Sequence, residues 1–185
     1  MTTARNATFN TLAERLISLG MISTDTAHRV LRDIDELDDD GLDYELDDEG
    51  LSDALECFGV AFGVHSDQVD DLEGSYEYLL RDAAACTGGA VVVEDVELSS
   101  DPDGAEILRF VCNGSVVEWS LEHDFDGYFD QMGILANIDD LNPPGVDDHR
   151  TFRSVDLDES ETNYYVLVDD EQALALVNEL GLPLD

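Results

Sequence analysis

ILRFVCNGSVVEWSLEHDFDGYFD, residues 107–130, decides the fold, because Asn113-Gly114 at its centre is the strongest short hairpin signal a sequence can carry. Both central residues of a type I′ turn need φ > 0, which asparagine and glycine tolerate. A two-residue turn sets Cys112 opposite Ser115, Phe110 opposite Val117 and Leu108 opposite Trp119, so one face of the ribbon is apolar. On the other face the register brings Arg109 across from Glu118, a cross-strand pair of opposite charge. The stretch after the hairpin offers Asp124 as a cap for a helix from Phe125 to about Leu141, closed by Pro143-Pro144. Its periodic members Tyr128, Met132, Leu135 and Ile138 predict that Tyr128, Met132 and Leu135 lie on the apolar hairpin face.

Working outward, Thr151 to Leu157 and Tyr164 to Val168 alternate as strands joined by the polar DESETN, and Asp169 or Asp170 caps a last helix stopped by Gly181 and Pro183. Before the hairpin, the β-branched run from Ala90 to Leu98 reads as a strand, followed by a polar turn from Ser99 to Gly104. Upstream of Gly88-Gly89 the apolar period becomes helical. Leu12, Leu16 and Leu19 mark a first helix. Ala27, Val30, Leu31 and Ile34 mark a second, capped within Ser23-Thr24-Asp25. Leu51, Leu55, Phe58 and Phe62 mark a third, and Tyr76, Leu79, Leu80 and Ala83 a fourth. The class is α+β: amino-terminal helices followed by a roughly five-stranded, mainly antiparallel sheet covered on one face by two helices. Residues 1–88 form a helical region with an acidic loop, and residues 89–185 the sheet region, expected to pack as one unit.

The chain of 185 residues has a formal net charge of −37, and its eight basic residues are all arginine. Such a field repels nucleic acid and anionic membrane surfaces and steers in cationic proteins. A cationic protein partner is therefore expected, a nucleic-acid-binding protein among them. Two other readings fit the same charge: a DNA mimic that inhibits a nucleic-acid-binding protein, and a halophile-type composition whose acids only serve hydration. No apolar run is long enough to span a membrane and the amino terminus lacks a signal core, which points to the cytoplasm. Cys57, Cys86 and Cys112 are odd in number and widely spaced, as for reduced, buried thiols.

From Asp33 to Glu49, eleven of seventeen residues are acidic, too dense a run for a buried element, so a solvated loop is expected. No basic residue occurs between Asp33 and Leu80 to answer the eighteen acids there. The expected partner contact is Asp38, Asp39, Asp40, Leu42, Asp43, Tyr44, Glu45, Leu46, Asp47, Asp48 and Glu49, with the aromatic and the two leucines as its anchor or as the loop's tether. Two frames in this segment, starting at Glu36 and Glu45, imitate a calcium loop. Both place glutamate first and a polar residue eighth, which argues against a metal site. Glu118, Glu122, His123, Asp124, Asp126 and Asp130 cluster between a strand end and a helix start, where acid–base work competes with capping and ion pairing. No nucleophile elbow, phosphate-binding glycine loop, HExxH or CxxC occurs, so neither enzyme activity nor a cofactor is expected.

The order Tyr76-Glu-Tyr-Leu-Leu80, LRFVCNGSVVEWSLE, FDGYFDQMGILANIDDLN, RTFRSVDLD and YYVLVDDEQALALV, spanning Tyr76 to Leu182, resembles small uncharacterised bacterial and archaeal domains, some similar to immunity proteins of polymorphic toxin systems. The resemblance implies a non-catalytic, acidic, cytoplasmic protein that blocks a toxin by occupying its active face. It supplies no functional residue, and the amino-terminal helices and the acidic segment lie outside it.

Overall fold

Three helices open the chain in a computed structural model that describes residues 7–37, 41–100, 105–157 and 160–185. They are α1 (Phe9–Ser18), α2 (Thr24–Leu37) and α3 (Asp48–Cys57). Each starts at a side-chain cap. Thr8 and Thr11 exchange bonds in a capping box, Ser23 Oγ accepts from the Thr26 N–H at 3.1 Å, and Asp47 accepts from the Gly50 N–H at 2.8 Å. The acidic segment is accordingly shorter than the expected loop. Asp33, Asp35 and Glu36 ride the exposed face of α2, and Asp48 and Glu49 occupy the first turn of α3, where the helix dipole favours carboxylates. Asp38, Asp39 and Asp40 lie outside the described residues.

The third helix does not reach Phe62. It ends with Phe58 as its cap, and Gly59, at φ 73°, turns the chain into β1 (Ala61–His65). Next come α4 (Leu72–Cys86), capped by Asp71, then β2 (Val93–Ser100), β3 (Glu106–Cys112) and β4 (Ser115–Leu121). Strand β2 is shifted carboxy-terminally from the expected Ala90–Leu98, with an irregularity between Glu94 and Glu97; Ser99 and Ser100 belong to the strand, while 101–104 fall outside the described residues. The β3–β4 hairpin has the expected register throughout, Cys112 with Ser115, Phe110 with Val117, Arg109 with Glu118 and Leu108 with Trp119. Asn113 and Gly114 sit at φ 50° and 78°, as the turn requires.

Where a helix from Phe125 was expected, residues 122–130 are irregular and α5 runs only Gln131–Asn137, capped by Asp130, with a 3-10 turn over Ile138–Leu141. The frame differs as well. Ile134, Ile138 and Leu141 are buried, whereas Met132 is 72% exposed and Tyr128 and Leu135 face solvent. The chain closes with β5 (Thr151–Ser154), β6 (Thr162–Val168) and α6 (Asp170–Ala175), whose cap is Asp169 in a capping box with Gln172.

The strands form two antiparallel three-stranded sheets, β1-β6-β5 and β2-β3-β4, in place of one five-stranded sheet. The physical reason is β6. Tyr164, Val166 and Val168 enter a core built with α1, α2, α3 and α6, while Tyr165 and Leu167 join Phe62 and Phe152 in a second core with α4 and the other sheet. A strand covered on both faces needs a continuous apolar run, which YYVLV supplies. No helix among the described residues is long and apolar enough to cross a membrane.

Candidate functional site

Strand β1 is an edge of its sheet, and a cavity lies along that edge. The Leu167 N–H donates to Val60 O at 3.0 Å and the Ser66 N–H to Glu161 O at 2.9 Å. In an antiparallel ladder such pairs alternate, so Phe62 and Val64 bond to β6 while Ala61, Gly63 and His65 turn their main-chain groups to the open side. Two side chains blunt this edge. Gly63 donates its N–H to Glu56 Oε1 at 3.2 Å, and Cys86 donates its thiol to Ala61 O at 3.3 Å.

Between the edge, α4 and the segment 66–71 lies a cavity of about 530 Å³. Phe62, Val69, Leu79 and Phe129 give it an apolar lining, and Glu56, Asp67, Asp71 and Asp82 bring carboxylates, with His65 and Tyr78 beside them. A second hollow of about 430 Å³ shares Glu56, Tyr78 and Asp82 and adds Cys57 and Cys86. Burial pushes the Glu56 carboxyl above its ordinary range, against the pull of the Gly63 N–H. Burial does the same to Asp82, opposed by the Tyr78 hydroxyl. The thiols are disfavoured as thiolates: Cys57, an exposed residue whose surroundings still partly desolvate its sulfur, is raised by that desolvation and by the charges of Glu56 and Asp53, and Cys86 is pushed up to about 12 by burial. The cavity thus offers acceptors and negative charge over an apolar lining. Cys57, expected to be buried, is exposed at the end of α3, while Cys86 and Cys112 are buried as anticipated, and all three are free.

The acidic segment anticipated as a contact keeps residues 41–47 as a connection between α2 and α3. Leu46 is its tether: its N–H donates to Ala7 O at 2.7 Å and its side chain packs on the helical core. Leu42 is half-buried, Asp43 accepts from Asn10 Nδ2 at 3.3 Å, and Tyr44 stands 67% exposed. Asp43, Glu45, Asp47, Asp48 and Glu49 are exposed and form no salt bridge among the described residues. The calcium-like frame from Glu45 folds as a cap and a helix, and no group of three or more His, Cys, Asp or Glu among the described residues is arranged around a metal position.

The cluster near His123 is dispersed. Glu118 faces Arg109 at 3.7 Å on the open sheet face, and Asp124 and Asp126 are exposed and cap nothing. Asp130 is the helix cap and also accepts from the Glu122 N–H at 2.8 Å. His123 is different: its side chain is buried, with Nδ1 2.5 Å from Glu106 Oε2 and Nε2 2.9 Å from the Tyr76 hydroxyl, which in turn accepts from the Asp130 N–H at 3.0 Å. The order of carboxylate, imidazole and hydroxyl is that of a catalytic relay, but Tyr76 is fully buried and burial drives its phenol further from ionisation. The hydrogen-bonded series ties residues 122–130 to α4.

Glu56, Asp82, His65 and Gly63 escape sequence reasoning because they come from three elements without a shared motif. The only local signal is that AFGVH, after a glycine, carries strand-forming residues. Comparison with protein-family models, with characterised proteins and with solved structures gives no match for this chain.

Proposed function

We propose that the chain is a non-catalytic binding protein that captures and neutralises a cationic protein partner, in the manner implied by the resemblance to immunity proteins. The contact is the segment Asp38 to Glu49 at the start of α3. The observation that supports this most is Tyr44, an exposed aromatic among carboxylates that form no ion pair among the described residues, on a connection held in place by Leu46. An aromatic anchor ringed by like charge is suited to a basic surface. Helical spacing then carries the acidic character along α3 through Glu49, Asp53 and Glu56.

The experiment compares two variants of equal charge. In one, Asp38, Asp39, Asp40, Asp47 and Asp48 become asparagine. In the other, Glu94, Glu97, Glu118 and Glu171 become glutamine and Asp95 becomes asparagine. Binding of a nona-arginine peptide is measured by stopped-flow and calorimetry at low and moderate salt. The first variant should bind about tenfold more weakly or worse, chiefly through slower association, while the second stays close to the wild type. Equal losses in both would mean that the charge acts diffusely, as in the solvation reading, and would remove the segment from the proposal.

A further inference from the structure

We propose that the cavity at the open edge of β1 receives the guanidinium of an arginine side chain presented by the partner. This deepens the reading of a cationic partner and rests on it for the identity of the donor, but the site itself is tested without any partner. Guanidinium is all donor, five N–H groups in a plane and no acceptor. The cavity is the complement. Glu56 and Asp82 face it from α3 and α4, and Gly63 turns its carbonyl to the same side, away from β6. Below them the lining is apolar, with Phe62 and Leu79 almost wholly buried and Val69 and Phe129 alongside, so the methylene stem of an arginine has a surface to cover. Tyr78, 71% exposed at the rim, offers a ring for stacking. At about 530 Å³ the cavity falls within the range of small-ligand sites.

Two features separate this cavity from the rest of an acidic surface. Glu56 and Asp82 share the cavity wall with apolar side chains and are half-buried, so a cation held between them is screened less than one on an open face. They also meet little positive charge: around Glu56 stand the carboxylates of Asp53 from α3 and Asp82 from α4, with His65 from β1 pulling the other way, and no arginine among the described residues lines the cavity. Burial raises both carboxyl groups, a cost that an incoming cation relieves. The site also lies at the far end of α3 from Asp47, so one extended basic surface can span the acidic segment and the cavity together.

The probe is N-butylguanidinium, with N-butylurea as its neutral isostere, added to the full chain at about 1 M NaCl, where the screening length is about 3 Å and diffuse attraction is suppressed. Main-chain amide shifts should move saturably at Gly63, His65, Val69, Tyr78 and Asp82, and the urea should leave them in place. Glu56→Gln and Asp82→Asn should each weaken the probe about tenfold or more, the usual weight of a charge-assisted hydrogen bond, without lowering the unfolding midpoint. The remote Glu97→Gln should bind as the wild type does. The variant neutralised at Asp38, Asp39, Asp40, Asp47 and Asp48 should still bind butylguanidinium even where it loses nona-arginine. Shifts scattered over the surface, equal binding of the urea, or undiminished binding by both cavity variants would overturn the site while leaving the acidic segment standing. Normal probe binding with no loss of nona-arginine in the five-site variant would do the reverse.

Discussion

Trp119 is fully buried, meets Phe110 edge-on with ring centroids 5.2 Å apart, and donates its indole N–H to Asp140 Oδ2 at 2.9 Å. Both the ring and the bond are consequential. Trp119→Ala should cost about 3–5 kcal/mol in denaturant unfolding, the usual cost of deleting an aromatic from a closed core. Asp140→Ala should cost about 1–3 kcal/mol, because the indole N–H is left buried without an acceptor. A midpoint unmoved by the first change would mean that the hairpin face is not the core it forms here. Glu56 has the opposite sign. Burial raises its carboxyl in the folded state, so the native protein holds that proton more tightly than the unfolded chain does. Its contribution to stability therefore falls as pH rises from the ordinary carboxylate range through the raised value, and above that the ionised group weighs against the fold. Glu56→Gln keeps an oxygen for the Gly63 N–H and removes the charge. It should raise the unfolding midpoint at neutral pH, and the gain should vanish below about pH 4, where a carboxyl with ordinary pKa is itself protonated. A variant that loses stability at neutral pH would show that the ionised form is the one the fold requires.

Among the elements, the β3–β4 hairpin and α5 mark the two extremes of what the sequence discloses. The hairpin was legible because turn chemistry, alternation and the Arg109–Glu118 pair each specify one register, and a one-residue slip would expose Trp119. Around α5 the apolar residues Tyr128, Met132, Leu135 and Ile138 imitate one helical face, yet of these the chain buries Ile138 alone, together with Ile134 and Leu141, and leaves Met132 72% exposed. The deciding force lies outside the segment: the Tyr76 hydroxyl holds the Asp130 N–H, and Asp130 holds the N–H groups of Glu122 and Gly133, so the helix starts six residues later than local capping suggests. Strand β1 was hidden by the same kind of accident, since Phe62 continues the Leu51, Leu55, Phe58 period past a glycine that in fact ends the helix. Without β1 neither the second sheet nor the cavity on its edge could be read from the sequence. Ile134→Ala should cost about 2–5 kcal/mol and Met132→Ala less than about 0.5 kcal/mol, a contrast that separates the observed frame from the periodic one. Comparable losses at both positions in urea unfolding would put Met132 back in the core.

Across the whole molecule, 45 acids face eight arginines, and the ion pairs among the described residues are mostly exposed and individually small. Arg15 with Glu179 at 2.5 Å, which ties α1 to the carboxy-terminal end, and Arg150 with Asp148 at 2.7 Å, two residues apart, are more sheltered, but they do not offset a net charge of −37. The fold therefore carries a repulsive term that scales with the screening length, about 10 Å at 0.1 M salt and about 3 Å at 1 M. Raising NaCl from about 0.05 M to 1 M should lift the unfolding midpoint steadily, before any specific ion effect is considered. The five-site variant at Asp38, Asp39, Asp40, Asp47 and Asp48 should start higher at low salt, because it removes neighbouring like charges, and should converge on the wild type at high salt as screening does the same work. Its α3 cap would not be lost, since asparagine at position 47 still accepts from the Gly50 N–H. Paired with the nona-arginine measurement, the salt series separates two uses of the same carboxylates. If binding falls while low-salt stability rises, the acids are held against the fold's own interest for a partner. If stability collapses instead at low salt, the segment is structural and the binding role assigned to it fails.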